Sequence, residues 1–308
     1  MTIAAILQLY SNKLNYFDLE LLLANSLNKT REFILIHPEY KIPNFKIKNL
    51  KLKISRRMQG EPIAYILGRK EFYGLDFKVN THTLIPRPET EQLVELTLDE
   101  ISNFKLPTQP GKIKNLVFLD IGTGSGCIPI SIAHNIEHGT WNIEQKSNIT
   151  ILGSDISSGA LLIAKKNATI HKVNNKIKFL KGNLLQPFVE NYKLNPPAGG
   201  KNSAMIVVAN LPYLSKEIYN SAPIDVKKFE PKSALYSPEE GLQHYRKLLE
   251  QIKELLITGN QSSVTVFLEI SPEQKKNTTI LIKKILPSAK IHFFKDLAGK
   301  WRIIKITL

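Results

Sequence analysis

The 308-residue sequence predicts an α/β fold, a mostly parallel sheet preceded by a small helical domain. Three observations carry that reading. From residue 116 onward, short apolar runs rich in Val, Ile and Phe alternate with amphipathic helical segments, the βαβ pattern of a parallel sheet with helices on both faces. A glycine-rich turn, Asp120-Ile121-Gly122-Thr123-Gly124-Ser125-Gly126, joins one apolar run to the next helix. Residues 1–67, in contrast, place apolar side chains at helical spacing and contain no glycine before Gly60.

The elements follow in order. Ile6, Leu7, Tyr10 and Leu14 share a helical face. Asp18 is expected to cap the helix LELLLANSL, and Thr30 to cap REFILI, which ends at His37-Pro38. A further helix is expected over 47–59. Within 70–86, EFYG and LDFKV alternate around Gly74 and predict a hairpin. Pro86 and Pro88 flank Arg87, and a helix carrying Leu93, Val94, Leu96 and Leu98 follows. The polar stretch 102–115 connects to the α/β alternation. Strands are expected at 116–122, 149–157, 176–185, 204–214 and 263–270. Helices are expected at 127–137, 159–172, 240–256 and 271–286. Segments 291–296 and 302–308 close as a hairpin-like pair. Stretches near 139–148 and 190–203 read as surface loops.

Composition narrows the function classes. Apolar residues make up 43% and charged residues 22%, which is ordinary for a globular chain and excludes wholesale disorder. The longest apolar runs, at 33–36 and 206–209, fall far short of the roughly 20 residues of a membrane helix. The N-terminal residues show no basic region or cleavage site of a signal peptide. A single cysteine excludes an internal disulfide and a cysteine-only metal site, so the cytoplasm is the expected compartment. The net charge of +15 suits an acidic partner, nucleic acid or protein, or reflects a compositional bias toward Lys. The densest basic run, 41–57, reads as a partner-facing patch or a solvated helix face. No metal is expected. His134 and His138 have Glu137 between them, whereas a zinc-protease helix places its Glu directly after the first His. Cys127 lacks a His or Asp neighbour in sequence and reads as a small packing residue, not a nucleophile.

The chemistry concentrates in two motifs. A dinucleotide fingerprint needs G-x-G-x-x-G; here the third glycine comes one residue early, and no lysine suits a phosphate loop. The spacing suits a nucleoside without a pyrophosphate. Asp155, ending the next strand, can accept both hydroxyls of a ribose. Gly122, Thr123, Gly124, Ser125, Gly126 and Asp155 therefore predict an S-adenosylmethionine site, with Asn183 where an adenine-facing polar group would sit; a simple turn residue is the other reading of Asn183. The second motif is Asn210-Leu211-Pro212-Tyr213 at the end of the fourth strand, facing the same crevice and bordering the cofactor through Asn210. It fits methyl transfer to a planar, weakly nucleophilic nitrogen. The Asn210 side-chain oxygen and the Leu211 carbonyl can accept hydrogen bonds from the N–H groups and stabilise positive charge as the methyl arrives. Pro212 biases Leu211 toward an extended backbone, and Tyr213 can pack on the planar group.

At this point the chain resembles the peptide chain release factor glutamine methyltransferases, the HemK/PrmC family. The resemblance rests on GEPIAYILGRKEFYGLDFKV (60–79), TLIPRPETEQLVE (83–95), LDIGTGSGCI (119–128), the turn at 210–213, EEGLQHYRKLLE (239–250), LEISPEQ (268–274) and DLAGKWRIIKI (296–306). It implies a class I S-adenosylmethionine-dependent methyltransferase with a Rossmann-like domain over 91–308, a hairpin linker over 70–90 and a helical substrate-docking domain over 1–69. The implied substrate is the glutamine of the Gly-Gly-Gln loop of class I release factors, methylated at N5, with possible work near the ribosome. A monomer is implied. Asn210, Pro212 and Tyr213 would form the catalytic turn. Asn210, Leu211, Pro212, Tyr213 and Arg87 would hold the substrate. Leu211 stands where the family usually has Pro, and Asn183 where it often has Asp. Asn-Leu-Pro-Tyr is also the form of ribosomal RNA adenine dimethyltransferases. An RNA amino-group methyltransferase and a ribosomal-protein glutamine methyltransferase therefore stay open as alternatives.

Overall fold

In a computed structural model, residues 1–103, 115–139, 149–192, 203–258 and 263–308 are described. Among them the chain forms two compact units, Met1–Arg69 with Ala222–Phe229, and Lys70–Ser221 with Glu230–Leu308.

The first unit holds α1 (Ile3–Tyr10), α2 (Tyr16–Leu27), α3 (Arg31–Ile36), α4 (Asn44–Met58) and α5 (Ile63–Leu67). Ile3, Ile6, Leu19, Leu22, Leu23, Leu50 and Ile54 form its core, on the faces that helical spacing predicts. Thr30 caps α3 as expected, its hydroxyl accepting from the Phe33 amide. The cap of α2 is Asn15, not Asp18. Asp18 lies in the first turn of α2, and its carboxylate accepts from Arg57 at 2.6 Å. An acid in the first turn also favours the helix, so it looks like a cap from sequence alone. The helix α4 starts three residues earlier than 47 because Pro43, with φ fixed near −57°, already sets its entry.

The second unit opens with the hairpin β1 (Arg69–Phe72) and β2 (Leu75–Lys78), turning at Tyr73-Gly74. Then come α6 (Glu91–Asn103), β3 (Asn115–Ile121), α7 (Cys127–His138), β4 (Ile149–Asp155), α8 (Ser158–Ile170), β5 (Ile177–Lys181), α9 (Gln186–Tyr192) and β6 (Ser203–Ala209). The chain continues with α10 (Lys216–Ser221), α11 (Ile224–Phe229, grouped with the first unit), α12 (Gln243–Thr258), β7 (Ser263–Glu269), α13 (Lys275–Ile285), β8 (Lys290–Lys295) and β9 (Trp301–Thr307). The short helices α9, α10 and α11 have too few turns to print a period on the sequence, and the sequence reading missed them. The expected loops at 139–148 and 190–203 fall largely outside the described residues, as does most of 102–115.

The sheet order is β5-β4-β3-β6-β7-β9-β8. Strands β3 to β7 run parallel, and β9 and β8 add an antiparallel edge. Strand alternation divides the core. Leu119, Ile121, Val207, Ala209, Val266 and Leu268 face α12 and α13, while Leu116, Phe118, Ile206, Val208 and Phe267 face α6 and α7. Apolar residues on both faces mean both faces are covered, which is why these strands read as continuous hydrophobic runs.

Sheet order reverses at β3. The strands β4 and β5 lie to one side of it and β6 and β7 to the other, so a crevice opens at the carboxyl ends. Register fixes what meets there. Ile121 pairs with Ser154 on β4 and with Ala209 on β6, and Ala209 pairs with Leu268 on β7. The next residues, Asp155, Gly122, Asn210 and Glu269, therefore form one row along the rim of the sheet.

Candidate active site

A cavity of about 290 Å³ sits over this row. Its lining brings together nearly every residue the sequence singled out: Gly122, Thr123, Gly124, Ser125, Asp155, Asn183, Asn210, Leu211, Pro212 and Arg87. Gly126 and Tyr213 stand outside the lining.

The glycine turn is built by backbone conformation. Gly122, Gly124 and Gly126 have φ of +74°, +55° and +79°, values that other residues adopt only with strain. Gly122 and Thr123 both donate their amides to the Ser154 carbonyl, which ties the turn to β4. Asn167, fully buried on α8, donates to the Ser125 carbonyl and exchanges two hydrogen bonds with the Lys78 backbone. Gly126 serves packing: a Cβ there would meet Ile130 Cδ1 at 2.9 Å and Ala164 Cβ at 3.1 Å.

Asp155 accepts from the Gly124 amide at 2.9 Å and the Ser157 amide at 2.8 Å. Burial pushes its carboxyl up from the ordinary range, and these amides pull part of the way back. A carboxylate has about four acceptor positions, so two backbone bonds leave room for a diol. Asp120, next to last in β3 beneath the turn, is buried with neither oxygen in bonding geometry with a donor. Burial pushes its carboxyl up to about 7, the Asp155 charge adds to this, and the nearby Thr123 hydroxyl offsets part of it. The Thr123 and Ser125 hydroxyl oxygens are also buried without a hydrogen-bond partner. Native interiors rarely leave such groups unmatched. Orphaned acceptors at the turn and a spare carboxylate edge at Asp155 fit the polar ends of S-adenosylmethionine, an ammonium group and a ribose.

At the turn after β6, the Asn210 amide nitrogen donates to Thr90 Oγ1 at 3.0 Å, and the Thr90 hydroxyl donates to Glu269 Oε2 at 2.7 Å. Leu211 is buried, and a Cβ on Gly122 would lie 3.1 Å from its Cδ2. The Leu211 carbonyl oxygen lies 3.5 Å from the Tyr245 hydroxyl, whose proton goes to the Glu269 carbonyl. Tyr213 points its hydroxyl at Glu269 Oε1, 3.2 Å away. Burial and the Glu269 charge hold that phenol far above its ordinary pKa, so it stays a donor. Glu269 is itself buried, with its carboxyl pushed up to about 6 by desolvation, while Thr90, Arg302 and Tyr213 pull it down.

Behind the turn, Glu239, Glu240 and Gly241 all have positive φ, at 55°, 54° and 85°. This left-handed turn brings the Glu240 carbonyl beside that of Tyr213, and Gln274 Nε2 donates to both, at 3.1 and 2.9 Å. The EEGL and SPEQ segments thus fix the backbone of the 210–213 turn. Arg87 donates to Glu230 Oε1 at 2.5 Å, and the second Glu230 oxygen accepts from the Ile85 amide. This buried carboxylate pins the segment 81–87, which supplies Thr81, His82, Thr83, Leu84 and Pro86 to the lining. His244 also lines the cavity, its Nδ1 2.8 Å from Ser237 Oγ, and burial lowers its pKa.

Sequence reasoning missed Thr90, Glu230, His244 and Glu269. Only Glu269 left a readable signal, an acidic residue closing a buried strand at the carboxyl edge of the sheet. No His, Cys, Asp or Glu group suited to a metal occurs among the described residues. Among them no helix is long and apolar enough to cross a membrane.

Residues 5–68 match the PrmC N-terminal domain, and residues 112–283 match a methyltransferase domain. A release factor glutamine methyltransferase of Flavobacterium psychrophilum is 34% identical over 278 residues, 89% of this chain and 85% of that protein. The chain belongs to the release factor glutamine methyltransferase family. Its members are S-adenosylmethionine-dependent methyltransferases, and the glycine turn and Asp155 are the groups available here to hold that cofactor. A bifunctional methyltransferase of Rickettsia bellii is 32% identical over 309 residues, and this chain spans about half of that protein's length (51%). The fold also matches the hMettl16 catalytic domain solved in complex with the MAT2A 3'UTR hairpin 6, at 13% identity and TM-score 0.51, over 85% of this chain and 81% of that one.

Proposed function

We propose that this protein transfers a methyl group from S-adenosylmethionine to the side-chain amide nitrogen, N5, of the glutamine in the Gly-Gly-Gln loop of class I peptide chain release factors. The observation that carries this reading is the row of the sheet rim. It sets Asn210 directly beside Gly122, on a strand paired with the one that ends in the glycine turn. Cofactor and amide groups then share one cavity.

The residues divide the work by chemistry. Gly122, Thr123, Gly124, Ser125 and Asp155 hold the cofactor, with Asn183 at the rim. The cofactor supplies an electrophilic methyl group. The Asn210 Oδ1 and the Leu211 carbonyl accept the two N–H groups of the glutamine amide. This fixes the plane of the amide and aims the nitrogen lone pair along one line. Both acceptors carry negative partial charge, and they stabilise the positive charge that grows on nitrogen during transfer. As the N–CH3 bond forms the S–CH3 bond would break, leaving S-adenosylhomocysteine, and the nitrogen, made acidic by the transfer, releases its proton to solvent. Pro212 keeps the Leu211 carbonyl extended, and Tyr213 holds the turn from behind through Glu269. Arg87, braced by Glu230, borders the substrate side. The helical unit is the docking surface for the release factor, and the enzyme works as a cytoplasmic monomer, close to the ribosome.

Transfer of radiolabelled methyl from S-adenosylmethionine tests this. The acceptors are a purified release factor, the same factor with its loop Gln changed to Ala, and ribosomal RNA. Label on the first acceptor alone is the expected result. Label on RNA with none on the release factor would overturn the assignment.

A further inference from the structure

The acceptor role of Asn210 depends on which way its amide is turned. An Asn offers an oxygen and an NH₂ group of nearly the same shape, and only the oxygen can receive the substrate's N–H. The local hydrogen bonds decide the direction. An ionised Glu269 has no proton to donate, so the Thr90 hydroxyl, 2.7 Å from Oε2, must donate to it. A hydroxyl has one proton. Thr90 Oγ1 can then only accept from Asn210, 3.0 Å away, and Asn210 must present its NH₂ group. The oxygen is left for the cavity.

Resting on the functional reading above, we propose that Thr90 and Glu269 are positioning residues that lock the Asn210 amide with its oxygen toward the substrate. Neither belongs to the turn it controls, and they come from opposite ends of the second unit, 179 residues apart. Glu269 is anchored for the task. Its second oxygen accepts from Tyr213, its backbone carbonyl accepts from Tyr245, and Arg302 lies near enough to favour the ionised form. Thr90 and Glu269 are buried, 2% and 1% exposed, while Asn210 is half-buried and borders the cavity. The direction of the chain is thus set by one buried carboxylate.

Thr90→Val tests this, because it removes the hydroxyl and keeps the shape. The first readout needs no substrate. In NMR spectra, the side-chain NH₂ signals of Asn210, assigned by their loss in Asn210→Ala, should show slow hydrogen exchange in the wild type and in Thr90→Ser. In Thr90→Val they should exchange at least about tenfold faster, because a hydrogen bond of about 1.5 kcal/mol is lost. The second readout is turnover on the release factor. Thr90→Val should lower kcat about 10- to 100-fold with S-adenosylhomocysteine affinity unchanged, and Thr90→Ser should restore kcat. Unchanged exchange in Thr90→Val overturns the proposal. So does a Thr90→Ser variant as impaired as Thr90→Val, or a Thr90→Val loss that falls on cofactor affinity instead of kcat. A wild type that labels no release factor would sink the functional reading, while the exchange measurement would still decide the lock.

Discussion

The Asn substitution of Asp120 gives the most quantitative check on the site. Asp120 is buried beneath the glycine turn with no donor in bonding geometry, and its carboxyl rises from an ordinary 3.8 to about 7. The folded protein then keeps a proton on Asp120 between about pH 4 and pH 7 that the unfolded chain has already released. Stability therefore falls as pH rises through that window and levels off above it. The full effect, about 3 pH units at about 1.4 kcal/mol each, is about 4 kcal/mol. Between pH 5.5 and pH 8 the wild type should lose about 2 kcal/mol through this group. For a unit of this size that is about 4–8 °C in Tm. In Asp120→Asn this contribution is absent. Glu269, raised to about 6, contributes in the same direction in both proteins and cancels from the comparison. The assay is thermal unfolding followed by tryptophan fluorescence at both pH values; both tryptophans, Trp141 and Trp301, lie beyond residue 70. The wild type should lose about 4–8 °C more than the variant on going from pH 5.5 to pH 8. Equal pH dependence in the two proteins would refute the claim that Asp120 is a buried, proton-holding carboxyl.

Asn210→Ala should lower kcat about 10²- to 10³-fold while S-adenosylhomocysteine affinity by calorimetry stays within about twofold. Asp155→Ala should do the reverse, weakening cofactor binding about 10- to 100-fold, as expected for hydrogen bonds to a charged group, with kcat at saturation far less affected. Gly241→Ala would put a Cβ 2.0 Å from the Tyr213 carbonyl oxygen at a φ of +85°. It should cost about 2–4 kcal/mol in urea unfolding, by strain and by loss of the Gln274 clamp. Leu211→Pro should keep kcat within about threefold, since the carbonyl survives, and lose about 1–2 kcal/mol of stability, because the buried Leu211 side chain fills space against Gly122.

The sheet was legible because parallel strands covered on both faces are continuous apolar runs, and the candidate site was legible because the residues that line its cavity follow directly after those runs. Gly122, Asp155 and Asn210 each stand one residue past the last row that pairs with β3, so reading the strand ends amounts to reading the candidate site. What stayed hidden acts across the sequence. Thr90 looks like one more polar residue in a proline-rich linker; its meaning depends on Glu269, and no local pattern joins them. Glu230 sits in a segment with no periodicity and becomes important only because Arg87 and the Ile85 amide converge on it. Gly126 adds a reason that spacing does not show: it belongs to the motif by spacing, and Ile130 and Ala164 also pack where its side chain would be, so the helix itself requires the missing Cβ.

The same distinction applies to charge. The run 41–57 carries seven basic residues and no acid, which from sequence alone invites an acidic partner. In the helical unit, four of those seven are engaged at home. Lys46 donates to the Leu27 carbonyl, Lys53 to Asn25, Arg56 to Glu61 and Arg57 to Asp18. They join α4 to α2 and to the segment before α5, and they lend their charge to cohesion within the unit. A charge count treats every lysine and arginine as a probe of the surroundings, whereas a side chain with a short bond to a neighbouring element has already been used. Net charge is therefore a weaker witness to the substrate than the register of five parallel strands, which sets Asn210 beside the glycine turn without reference to charge at all.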